Sequence, residues 1–92
     1  MRKVYELTLM PQEKLECYGY INLAKADIKV GVFSTKEKAF ATIMELIHQW
    51  KLYPETLKTL PGQDNWTSYQ IERPGTGGRH ELFTITEMEV QE

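Results

Sequence analysis

Arg73, Arg79 and His80 bracket the run Pro74-Gly75-Thr76-Gly77-Gly78, the densest concentration of chemically capable groups in the chain. Glycine, lacking a Cβ, lets backbone N–H groups approach an oxyanion closely, and two guanidinium groups can clamp the same anion. The expected ligand site is therefore Arg73, Gly75, Gly77, Gly78, Arg79 and His80, with a nucleotide or another phosphate compound as its ligand. The run is not a P-loop, because no Lys-Ser/Thr pair follows it and no helix opens there. The same composition also describes a hairpin tip with basic flanks, since glycine clusters commonly mark turns.

Other candidates for chemistry are isolated. Glu45 and His48 have the i, i+3 spacing of a helical metal-ligand pair, but such carboxylate sites need further ligands from other helices. That pair reads as a solvated helix face. Neither His48 nor His80 has a matched nucleophile and a third, orienting group. Cys17 is the only cysteine, which excludes an internal disulfide and a cysteine zinc site. Beside aromatic residues it reads as a core filler. No enzymatic activity, cofactor or metal is expected.

The aromatic residues suggest a different use. Tyr18, Tyr20, Trp50, Tyr53, Trp66 and Tyr69 are many for a small domain, and most are expected in the core. Any left on an uncovered sheet face would form a docking patch, with Tyr18, Tyr20, Trp66 and Tyr69 as the candidate partner-binding residues. RNA-binding sheets use such platforms together with strong basic character. A net charge of -2 argues against nucleic acid as the partner.

The elements that must position these residues are legible from periodicity. Within Ser34 to Lys51, the apolar residues Ala39, Phe40, Ile43, Met44, Ile47 and Trp50 recur at spacings of three and four, predicting one amphipathic helix. Ser34 and Glu37 have the spacing of a capping box. Pro54 biases Tyr53 away from helical geometry, placing the end near Leu52. Alternation predicts a strand from Lys3 to Met10 that Pro11 ends, with residues 12–16 as a turn. Residues 17–26 favour a strand weakened by Gly19, and 27–33 a clearer one. The two form either one long strand broken near residues 25–27 or two short strands. Residues 54–60 read as one or two helical turns and 61–65 as a loop. Strands follow at 66–73 and 79–90. The expectation is a single α+β domain over 1–92. Its order is β-β-α-β-β, an antiparallel sheet of about four strands with one long helix packed on one face.

Ninety-two residues suffice for one modest core. No run approaches the roughly 20 apolar residues of a membrane span, and the first ten residues carry no signal-peptide pattern. With one thiol, a cytoplasmic location is expected. Gly31-Val-Phe-Ser-Thr-Lys-Glu-Lys-Ala39, with Val4-Tyr-Glu-Leu7 before it, resembles the first half of small uncharacterised α+β domains of bacteria and their phages. Those domains have a V-Y-x-L first strand and a G-[VI]-[FY]-S-[ST]-x-E-x-A strand-to-helix junction. The resemblance fits a bacterial or phage accessory or inhibitor protein and implies no activity. The function expected is a non-catalytic binding module that docks a protein partner, itself included as a homodimer, through an open sheet face or an edge strand. The alternative is a binder of a small phosphate-containing ligand.

Overall fold

The computed structural model describes residues 2–15, 19–74 and 78–90. Cys17, Tyr18, Gly75 and Gly77, singled out above, lie outside the described residues. The elements run β1 (Arg2–Leu15), β2 (Gly19–Asn22), β3 (Ile28–Phe33), α1 (Lys36–Gln49), a 3-10 turn (Pro54–Thr56), β4 (Lys58–Pro61), β5 (Trp66–Glu72) and β6 (Arg79–Val90). The class is α+β, as expected, but the antiparallel sheet has six strands rather than four. They are ordered β2-β1-β6-β5-β4, and β3 shares the β2 side of β1. Residues 19–33 thus form two short strands, the second of the two alternatives. Among the described residues, no helix is long and apolar enough to cross a membrane.

The long pair β1 and β6 is the spine, in continuous register from Arg2 opposite Val90 to Glu13 opposite Arg79. Pro11 does not end β1. Its carbonyl accepts from the Leu23 N–H, so both backbone positions of residue 11 point toward the β2–β3 side, away from β6. The missing proline donor therefore removes no bond from the spine, and residues 12–15 continue as strand against β2. On that same edge, β3 shifts register opposite Leu7 and Thr8, a bulge that leaves Val30 as the extra residue. Helical geometry after Pro54 covers Pro54–Thr56 only, and residues 58–61, expected as helical turn and loop, are strand β4. Its four residues are all exposed and carry no alternation, so only the neighbouring β5 makes them a strand.

Helix α1 crosses β1, β3 and β6 on one face of the sheet. Leu7 and Leu9 of β1, Phe83 and Ile85 of β6, Tyr69 and Ile71 of β5, and Leu52 pack there against Ala39, Ile43 and Ile47. Each large apolar side chain buried this way contributes about 1.5–3 kcal/mol. Phe40 meets Tyr69 at 5.2 Å between ring centroids, and Trp50 stacks over Phe83 at 6.3 Å. Met44 lies at the margin of the helical stripe and is 41% exposed.

The helix ends obey capping chemistry, one residue away from the expected start. Thr35, not Ser34, is the N-cap: its hydroxyl accepts from the Lys38 N–H at 3.1 Å. The Ser34 hydroxyl instead takes the Lys38 ammonium. At the far end Leu52 N–H donates to the Ile47 carbonyl and Lys51 N–H to that of His48, closing a Schellman motif with Lys51 at φ 53°. Leu52 and Ile47 are both buried, supplying the apolar contact that accompanies this motif.

Candidate functional site

Cross-strand partners share a face, and residues two apart along a strand share it too. The register therefore sorts the candidates. Arg73, Arg79 and Glu81 belong to the helix side, with Leu9, Ile71 and Phe83. His80 belongs to the opposite, helix-free face, opposite Gln12 on one side and Glu72 on the other. The two arginines and the histidine of the expected anion site thus sit on opposite faces.

Arg73 is already engaged. Its Nε donates to Glu81 Oε1 at 3.2 Å, and its guanidinium lies 5.8 Å from the Trp50 ring centroid. Glu81 is 5% exposed, and its Oε2 has no hydrogen-bond partner among the described residues. Burial pushes this carboxyl above the usual range, while Arg73 and Arg79 pull it partway back. An anion brought between the arginines would compete with a carboxylate built into the fold.

Gly78 has a structural task. Its carbonyl accepts from the Lys14 N–H at 2.7 Å and from His80 Nδ1 at 3.0 Å. Its φ of +93° favours glycine, and a Cβ there would stand 3.1 Å from the Lys14 oxygen. The base of the hairpin is closed by Arg73 N–H donating to the Arg79 carbonyl.

Of the docking aromatics, Tyr69 is in the core, 8% exposed, so it offers no surface to a partner. Its strand alternates, and Tyr69 shares the helix-side face with Ile71 and Thr67. Tyr20 and Trp66 do reach the helix-free face but at opposite ends of it: Tyr20 opposite Lys14, and Trp66 opposite Thr86.

That helix-free face divides into two regions. Near its Trp66 end, Val4 faces Met88 and Val32 faces Glu6, while Thr8, Thr84, Ser68 and Leu60 form one row. The Ser68 and Thr84 hydroxyls bond at 2.9 Å, and Lys29 pairs with Glu6 at 3.4 Å. At the other end a recess of about 300 Å³ is lined by Lys14, Tyr20, Lys58, Gln70, Glu72 and His80 and by residues 55–57. Tyr20 and His80 meet edge to face at 5.0 Å. Gln70 donates to Gln12, which donates to Asn22, a polar chain crossing from β5 to β2. Lys14, Lys58, Gln70 and Glu72 lie on three strands far apart in sequence and carry no motif, so nothing short of the register could group them.

Among the described residues no group of three or more His, Cys, Asp or Glu is placed to hold a metal. No protein-family model, curated protein or solved structure matches this chain.

Proposed function

We propose that the protein is a non-catalytic binding module that docks a protein partner, a second copy of the chain, on the helix-free face of its sheet. One observation carries this reading. Val32, Leu60, Trp66 and Met88 stand 36–46% exposed on the same uncovered face, beside Val4 and a row of hydroxyl side chains. Exposed large apolar side chains gathered on one face mark interaction surfaces, whereas scattered ones do not.

The face is favoured over the edges on physical grounds. The β3 edge is interrupted by its bulge, and the β4 edge is four residues long and ends in Pro61. Bulges, short strands and proline are devices that discourage strand addition. At the Trp66 end Glu6 and Lys29 neutralise each other, so neither presents an unpaired charge to a second copy.

Size-exclusion chromatography with light scattering tests the proposal. The wild type is expected to dimerise with rising concentration, and Trp66→Glu or Leu60→Lys to remain monomeric with unchanged circular dichroism. A wild type that stays monomeric to millimolar concentration sinks the self-docking reading.

A further inference from the structure

The recess at the hairpin end of the helix-free face holds a concentration of polar groups with nothing to bind. Among the described residues, three ion pairs lie elsewhere: Lys3 with Glu87, Lys29 with Glu6, Arg73 with Glu81. Around this recess of about 300 Å³, the ammonium groups of Lys14 and Lys58 and the carboxylate of Glu72 have no partner among the described residues. Gln70 is 8% exposed, and its amide nitrogen is used on Gln12 while its Oε1 meets no donor among them. His80 Nδ1 faces the Gly78 carbonyl, which can only accept, so Nδ1 carries the hydrogen and Nε2 is left as an acceptor.

The arrangement of these groups is specific. Lys14 and Tyr20 are cross-strand neighbours on one wall. His80 and Glu72 pair across the floor, and Gln70 and Lys58 pair on the far wall. Glu55 closes the rim above them. Two lysines and two glutamates leave the recess without net charge, which disfavours a simple anion. Lys14 and Glu72 sit on β1 and β5, two strand spacings or roughly 10 Å apart. Their side chains stand on opposite sides of the recess, an ammonium across from a carboxylate, which suits a ligand with opposite charges at its two ends.

We propose that this recess binds a small zwitterion of dipeptide size. Lys14 and the Tyr20 hydroxyl take its carboxylate, and Glu72, Gln70 Oε1 and His80 Nε2 take its ammonium. The Tyr20 ring and Leu57 offer apolar walls to its side chains. Each charged end gains charge-assisted hydrogen bonds in a partly dehydrated site. The site is separate from the docking face near Trp66, and its test is independent of oligomeric state.

The test uses L-alanyl-L-leucine, its N-acetyl derivative and its C-terminal amide, titrated into the full chain. Thermal shift and backbone amide chemical shifts are the readouts. The free dipeptide is expected to raise the melting temperature and to move the amide signals of Lys14, Tyr20, Gln70, Glu72 and His80. Each capped form should bind about tenfold more weakly, having lost one charged end. Lys14→Met and Glu72→Gln should each weaken the dipeptide by a similar factor with unchanged circular dichroism. No response to the dipeptide at tens of millimolar, or equal responses to capped and uncapped forms, overturns the proposal. So does a response to inorganic phosphate alone, which would make the recess an anion site.

Discussion

Arg73 reaches Glu81 through one oxygen, Nε to Oε1 at 3.2 Å, on a carboxylate whose other oxygen is buried and has no partner among the described residues. The pair lies at the base of the 73–79 hairpin, with Trp50 over the guanidinium. Two residues that looked like half of an anion clamp and an ordinary strand position are a single electrostatic unit, and it is incompletely satisfied.

The pH dependence follows from the direction of the Glu81 shift. Burial raises this carboxyl above its ordinary value of 4.5, and the two arginines only partly offset the rise. The native state then holds the proton more tightly than the unfolded chain. The stability linked to this group is present below the unfolded value and is lost as pH rises through the folded one. Glu81→Gln, which keeps the shape without the charge, is expected to remove that component of the slope and to fall within about 1 kcal/mol of wild type at pH 7. Arg73→Met removes the hydrogen-bonded partner of the buried carboxylate, leaving it only the field of Arg79, and should cost about 1–3 kcal/mol at pH 7, and less at pH 4. Urea denaturation of both variants across that range measures it. A cost for Arg73→Met that grows on acidification would mean that Glu81 is not the group responsible.

The N-cap assignment separates two adjacent hydroxyls. Thr35→Ala should destabilise by about 0.5–2 kcal/mol, because the Lys38 N–H loses its acceptor. Ser34→Ala should change stability by about 0.5 kcal/mol or less, since its hydroxyl meets only an exposed ammonium. Equal losses in chemical denaturation would contradict this assignment.

The helical stripe is unequal along its length. Ile43→Ala should cost about 2–5 kcal/mol through the cavity it opens beneath α1. Met44→Ala, next to it but at the exposed margin, should stay within about 0.5 kcal/mol. Thermal or urea unfolding of the two variants side by side reads the difference directly.

Two positions with positive φ should respond in opposite senses. Lys51 adopts φ 53° at the C′ position of α1, where glycine is the unstrained residue, so Lys51→Gly should stabilise by about 0.5–1 kcal/mol. Gly78→Ala should destabilise by about 1–3 kcal/mol, since its φ of +93° suits no L side chain and a Cβ would crowd Lys14. A stabilised Gly78→Ala variant would mean that the hairpin base is built differently.

Much of the fold was written locally. The helix lies within the residues whose apolar spacing marks it, but it ends at Gln49, short of the boundary near Leu52 that Pro54 suggests, because Lys51 turns left-handed and closes a Schellman motif. The alternation of Leu7 with Leu9 and of Phe83 with Ile85 declares one buried face on each long strand, because successive side chains point to opposite sides. The helix start is legible only to within one residue: the capping-box spacing points to Ser34, and the Lys38 N–H is taken by the neighbouring Thr35 hydroxyl.

What remained depends on which strands become neighbours, and no local pattern records that. Pro11 stays inside β1 because its missing donor points at the join between β2 and β3, a fact of sheet order. Lys58–Pro61 becomes a strand because β5 lies alongside, and Tyr69 is buried because its face of β5 lies under Phe40. The recess brings together Lys14, Lys58, Gln70, Glu72 and His80 from four strands, and Arg73 loses its freedom to Glu81 across a hairpin. Alternation states that a side chain has a buried or an open side; the hydrogen-bond register between distant strands decides what stands beside it there.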